Sequence, residues 1–97
     1  MAPRKFPPHC GITCRLALAL AERFAQAQGN AVSLTPREIA DEADIPPVVA
    51  GELLRALAQK GYAECQQIGK KLRCTVLRSS PLWSADPAKI AELLERL

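Results

Sequence analysis

The stretch from residue 35 to residue 61 constrains the fold most, because it carries start and stop signals for two short helices in succession. Residues 35–38 (TPRE) combine a capping hydroxyl, a proline at the first helical position and a glutamate three residues after the cap. Hydrogen bonds between the cap and the glutamate satisfy the unpaired backbone amides of a helix start. We predict a helix from there to about residue 42 or 43. A tight turn at Asp44-Ile45-Pro46 follows, Pro47 opens a second helix, and Gly61 ends it.

Weaker patterns flank this pair of helices. Apolar residues at four- and three-residue steps predict an earlier helix from residue 9 or 10 to about 28, and AVSL at 31–34 predicts one short strand. Residues 62–68 and 71–78 alternate around Gly69-Lys70, which suits a two-residue hairpin turn. A linker at 79–83 leads to a last helix, with Asp86 as its cap and Pro87 at its first position. The predicted class is mostly α with a small antiparallel β-hairpin.

The chain divides into three parts. Residues 1–8 (MAPRKFPP) form a basic arm whose three prolines disfavour regular structure, residues 9–78 form the folded domain, and residues 79–97 form the linker and C-terminal helix. The apolar run at 16–21 is short for a secretory signal, and no segment approaches the length of a membrane span. We therefore expect a cytoplasmic protein that does not contact a membrane.

Positive charge is concentrated in two segments that contain no acid, residues 1–15 and residues 65–78. Their cations are Arg4, Lys5, Arg15, Lys70, Lys71, Arg73 and Arg78. The helix pair between them, residues 35–61, has a net charge of −2, although the whole chain has a formal net charge of +3. The positive field therefore lies in the two flanking segments and not in the helix pair.

The order of elements and the stretch LTPREIADEADIPPVVAGELLRALAQKGYAE resemble the winged helix-turn-helix family of bacterial transcriptional regulators, in its MarR-like and IscR-like branches. The residues that match the family pattern are Glu38-Ile39-Ala40, Ile45, Leu53-Leu54, Leu57 and Gly61-Tyr62. The resemblance covers roughly residues 10–78. IscR-like proteins hold an iron–sulfur cluster by cysteines after the winged domain, and that cofactor is not carried over because no cysteine follows Cys74.

The resemblance implies that the second helix of the motif enters the major groove of DNA, with its exposed N-terminal residues at the base edges. Among those residues, Val48 can meet a thymine methyl group, Glu52 can accept a hydrogen bond from cytosine, and only Arg55 is a bidentate purine reader. We therefore expect readout mainly by DNA shape, with affinity from phosphate contacts. The arm at Arg4 and Lys5 can add to those contacts. The predicted DNA-binding set is Arg37, Pro47, Val48, Gly51, Arg55, Lys70, Lys71 and Arg73.

The four cysteines are expected to be packed, reduced thiols, because the chain has no credible secretory signal. Cys10 and Cys14 are four residues apart, hence on one face at the start of the first helix. Cys65 and Cys74 are equidistant from the hairpin turn, hence cross-strand partners on its apolar face. The alternative is that all four converge, as a zinc site or as a redox switch. No other cofactor is predicted.

The last helix carries an apolar stripe that needs a partner, because an isolated helix of about eleven residues is marginal in water. The stripe either folds back onto its own domain, near Leu18 and Trp83, or pairs two copies across a twofold axis. We expect a homodimer, which would imply a palindromic DNA site. The candidate dimer contacts are Leu18, Ile90, Leu93, Leu94 and Leu97.

The sequence as a whole favours a DNA-binding transcriptional regulator that is not an enzyme, since no catalytic constellation surrounds the single histidine, His9. One alternative is a winged-helix protein–protein interaction module or complex subunit that uses Pro47, Val48 and Val49 as an apolar contact. A further alternative is a zinc- or redox-sensing regulator that uses the four cysteines.

Overall fold

Helices form most of the structure and the sheet is small, as the sequence predicts. The computed structural model describes residues 6–97, so the greater part of the predicted basic arm, including Arg4 and Lys5, lies outside the described residues. Within residues 6–97, no helix is both long and apolar enough to cross a membrane. The elements in chain order are α1 (Ile12–Gln26), β1 (Ala31–Leu34), α2 (Pro36–Ala43), α3 (Pro47–Gln59), β2 (Glu64–Ile68), β3 (Lys71–Leu77), α4 (Pro81–Ser84) and α5 (Pro87–Glu95).

The predicted helix pair, α2 and α3, begins and ends where its capping residues place it. The Thr35 hydroxyl accepts a hydrogen bond from the Glu38 amide at 3.3 Å and donates one to the Glu38 carboxylate at 3.2 Å. Asp44 ends α2 in the left-handed conformation, with φ at 55°, and Pro47 is the first residue of α3. Gly61 has φ at 83°, a conformation that glycine adopts without steric cost, so the chain leaves α3 at the predicted point.

The sheet has three strands in the order β1-β3-β2, all antiparallel, rather than the hairpin alone. The hairpin forms with the predicted register, in which Cys65 lies opposite Cys74 and Gly69 occupies the turn with φ at 62°. The short strand β1 adds to the free edge of β3, with Leu34 opposite Cys74. Because side chains alternate between the two faces of a strand, Leu34, Cys65 and Cys74 share the inner face.

The four cysteines form two disulfides, Cys10–Cys14 and Cys65–Cys74, so the expectation of four reduced thiols is wrong. The cross-strand register brings the Cα atoms of Cys65 and Cys74 to 4.0 Å, and their side chains meet on one face. Cys10 precedes the cap of α1 at Gly11 instead of lying within the helix, and its Cα atom is 5.1 Å from that of Cys14. The cysteines do not converge on a metal site, since residues 6–97 contain no group of three or more potential metal ligands.

The C-terminal helix packs on its own domain, which corrects the expected dimer contact. Ile90 is fully buried and Leu94 is 3% exposed, both as members of the single core, while Leu93 and Leu97 are half-buried against it. The Thr13 hydroxyl donates a hydrogen bond to the Glu95 carboxylate at 3.2 Å, which joins α1 to α5. The apolar stripe is therefore packed against its own chain, and Ile90 and Leu94 are not available to a second copy.

The segment predicted as a linker at 79–83 forms most of the short helix α4 and contributes to the core. The Ser80 hydroxyl accepts from the Leu82 amide at 3.2 Å and donates to the Tyr62 carbonyl at 2.7 Å. Leu82 is fully buried, and the Trp83 ring stacks on Phe24 with centroids 5.1 Å apart. These contacts fix the path of the chain between β3 and α5.

Candidate nucleic-acid interface

A groove of about 760 Å³ lies between α2, the first half of α3 and the tip of the β2–β3 hairpin, and we refer to this surface as the groove. It brings together residues that are up to 38 positions apart in the chain, from Thr35 to Arg73. All of the residues that the sequence predicts to contact DNA line it: Arg37, Pro47, Val48, Gly51, Arg55, Lys70, Lys71 and Arg73.

Local structure sets where each wall of the groove presents its side chains. The cap of α2 places Arg37 at the second helical position, and the turn before α3 places Pro47 and Val48 in its first turn. On the opposite wall the two-residue turn holds Lys70 at the hairpin tip, with Lys71 directly after it. The cations therefore approach the groove from two sides.

The Cys65–Cys74 disulfide joins the two strands of the hairpin, and one of its sulfur atoms packs against the α3 wall of the groove. The Sγ atom of Cys65 lies 3.6 Å from the carbonyl oxygen of Leu54, a residue of α3. A disulfide sulfur carries no hydrogen, so this is a packing contact and not a hydrogen bond. Since Cys74 is fully buried, the hairpin is anchored to α3 at its base and projects its cationic tip beyond the core.

The groove carries a net positive charge. Its cations outnumber its carboxylates by five to three, which gives +2. One of the carboxylates, that of Glu38, is already bonded to Arg23 outside the groove at 3.3 Å, so it offsets the groove cations less than a free carboxylate would. The five cations are Arg37, Arg55, Lys70, Lys71 and Arg73, and the three carboxylates are Glu38, Asp41 and Glu52.

None of the five groove cations has a hydrogen-bond or ion-pair partner for its side chain within residues 6–97. Several cations elsewhere in the structure are engaged: Arg23 binds Glu38 and Glu42, Arg78 donates twice to the Gly29 carbonyl, and Arg96 binds Glu92 at 2.8 Å. Arg15 and Lys60 lie outside the groove and also have no side-chain partner within residues 6–97, so it is the clustering of five such cations that distinguishes the groove. The donors of the groove cations are exposed and directed toward a space that another molecule can enter. Such an arrangement suits an anionic ligand.

An apolar side chain lies among these cations. Val48 is 73% exposed, the highest value among the exposed large hydrophobic residues of the described chain. Its neighbour Val49 is half-buried and Ala50 is buried, so the packing of α3 does not use Val48. The charged residues Glu52 and Arg55 follow Val48 by four and seven positions, which places all three on one exposed strip of α3.

Gly51 lines the floor of the groove and is buried there. A Cβ atom at this position would lie 3.6 Å from the Cγ atom of Pro36, an ordinary van der Waals distance. The nearest neighbour of this position is therefore Pro36 of α2. Gly51 therefore serves the packing of α2 on α3 and offers little surface to a ligand.

Gln67 is a groove residue that the sequence reasoning missed. It lies opposite Leu72 in the hairpin, and its side-chain amide donates to the Gly69 carbonyl at 3.2 Å, which supports the turn. Strand alternation from Cys65 places it on the inner face, and that signal in the sequence would have been sufficient to find it.

Comparison of this chain with protein-family models, with curated proteins and with solved structures finds no match.

Proposed function

We propose that this chain is a winged helix-turn-helix protein that binds duplex DNA and regulates transcription without catalysing a reaction. The observation that carries the proposal is the groove with unpaired cations on both walls. Duplex DNA is a dense polyanion, and each Lys or Arg that neutralises a phosphate releases condensed counterions. Five free cations around one exposed helix are suited to such contacts.

In this proposal α3 lies in the major groove of the duplex. A helix with its side chains is about 10–12 Å across, and the major groove is about 12 Å wide. Lys70, Lys71 and Arg73 of the hairpin then contact a phosphate backbone beside that groove, and Arg37 of α2 contacts the other flank. The exposed strip of α3 that begins at Val48 faces the base edges.

A second function is favoured by one observation, the exposure of Val48. In a protein–protein interaction module, Val48 and the adjoining Pro47 would insert into an apolar pocket of a partner protein, and the contact would be centred on these two side chains. Such a partner would bind independently of the lysines at the hairpin tip, whereas DNA would not.

A homodimer is part of the DNA-binding proposal, although it cannot use Ile90 and Leu94. The candidate contacts that keep partial exposure are Leu18, Leu93 and Leu97. Two copies joined through them would bind a palindromic site. Sedimentation equilibrium of the full chain, free and with a duplex, measures whether one or two copies bind.

The proposal is tested by comparing two charge-matched double variants. We expect Lys70→Ala/Lys71→Ala to weaken binding to a mixed-sequence duplex by at least about tenfold near 0.1 M salt, since two phosphate contacts are lost. Lys60→Ala/Lys89→Ala removes the same charge from exposed positions outside the groove and should change the affinity much less. Fluorescence anisotropy with labelled DNA gives both values. Equal losses in the two variants would show that only net charge matters and would contradict the proposed site.

A further inference from the structure

The exposed valine of the groove has no structural use within the described chain. Val48 is 73% exposed and lies in the first turn of α3. The buried residues of the whole helix are Ala50, Gly51, Leu54 and Leu57. A β-branched residue also has a lower helix propensity than alanine, so stability alone does not favour valine here. An explanation must therefore come from what enters the groove.

The surroundings of Val48 restrict which part of a DNA duplex it can meet. The groove cations fix the phosphates at its rim, and an apolar side chain gains nothing from a phosphate or a sugar hydroxyl. On the major-groove edges of the bases, the apolar group is the methyl group at C5 of a pyrimidine. Thymine carries this methyl group, and 5-methylcytosine presents the same group at the same place.

We propose that Val48 reads the 5-methyl group of a pyrimidine in the major groove, so that this chain prefers methyl-bearing duplex sequences. The inference rests on the proposed function, because it requires α3 to lie in the major groove. It adds direct readout at one position to a contact otherwise made through phosphates and shape. Burial of one methyl group against the valine corresponds to about a fourfold gain in affinity.

The test uses two pairs of duplexes that differ only in the methyl group. One pair is alternating dA-dT against alternating dA-dU, and the other is alternating dG-(5-methyl-dC) against alternating dG-dC. Dissociation constants are measured by anisotropy at low salt. We expect the wild-type chain to bind the methyl-bearing member about threefold to fourfold more tightly. Tighter binding of the methyl-bearing duplex in both pairs would show that Val48 recognises the methyl group on either base. Tighter binding in only one pair would show that the recognised methyl group is that of thymine alone or that of 5-methylcytosine alone.

Two variants separate the valine contact from other effects of the methyl group on the duplex. Val48→Ala should lower the ratio within each pair to nearly one while leaving the chain folded, because the side chain is exposed. Leu77→Ala removes an exposed apolar side chain outside the groove, 42% exposed in the structure, and should leave the ratio unchanged.

Equal binding within both pairs, or a ratio that survives Val48→Ala, would overturn the inference while leaving DNA binding intact. Absence of binding to all four duplexes would overturn the proposed function together with it. The two failures are therefore distinguishable in one set of titrations.

Discussion

Arg23 and Arg55 carry the same charge but lie in different electrostatic surroundings. Arg23 donates to Glu38, to Glu42 and to the Ser33 carbonyl, with distances of 3.3–3.5 Å, and thereby ties α1 to α2 and β1. Arg55 has no side-chain partner within the described chain and is exposed in the groove. The sequence identifies both as cations, but only the tertiary structure separates the cation used in packing from the cation available to a ligand.

Glu52 carries a negative charge on the exposed strip of α3, and this charge opposes the proposed partner. It is exposed in the groove without an ion pair among residues 6–97, so its carboxylate is repelled by DNA phosphates. We expect Glu52→Gln to raise the affinity for a mixed-sequence duplex roughly twofold to threefold at low salt, measured by anisotropy. Glu64→Gln is the matched control, because Glu64 is exposed on β2 outside the groove. Equal gains in the two variants would argue against a duplex seated on α3.

Among the elements, those whose ends are set by local chemistry could be predicted from the sequence. Thr35, Pro36 and Gly61 mark the bounds of α2 and α3, and the Gly69 turn sets the hairpin register. Helix α4 was missed because four residues are too few to show a helical period, and its stability comes from Ser80 and the buried Leu82. Strand β1 was predicted as a strand, but its pairing with β3 depends on a contact between distant parts of the chain.

The contact between α2 and α3 leads to a prediction about Gly51. An alanine Cβ would lie in ordinary contact with Pro36, and alanine loses less backbone entropy than glycine when a helix forms. We expect Gly51→Ala to raise the free energy of unfolding by about 0.5–1 kcal/mol, measured by urea denaturation. DNA affinity should be unchanged, because this position faces Pro36. A stabilised variant that loses DNA binding would show that the duplex approaches the α3 backbone here after all.

At the scale of the whole molecule, one core joins the helix pair, the sheet and the C-terminal helix. The sequence revealed the apolar stripe of α5, but a stripe alone does not distinguish packing on the same chain from packing on a second copy. The outcome depends on whether α1 offers a complementary face, and in the structure Leu16 and Leu20 of α1 are buried in the same core as Ile90. The disulfide pairing could likewise not be predicted from the sequence alone, because it depends on the strand register of the hairpin and on the residue at which α1 begins.

Ile90 provides the test of this arrangement. Its side chain is fully buried, so Ile90→Ala should lower the free energy of unfolding by about 2–4 kcal/mol through lost burial and the cavity left behind. The loss should be independent of protein concentration, since the partner helix belongs to the same chain. Chemical denaturation at two concentrations a hundredfold apart measures both properties. A midpoint that rises with concentration in the wild type but not in the variant would indicate that Ile90 joins two copies.

The claim that the groove binds the phosphates of duplex DNA is tested most directly by the salt dependence of binding. The measurement is the dissociation constant of the full chain for a mixed-sequence duplex, determined by fluorescence anisotropy between about 0.05 and 0.3 M salt. Five groove cations in contact with phosphates predict that the logarithm of the association constant, the reciprocal of the dissociation constant, falls linearly with log salt, with a slope of about −4 or steeper. A slope near zero, or no binding at the lowest salt, would contradict the account and would leave the groove and its exposed valine as a surface for another protein.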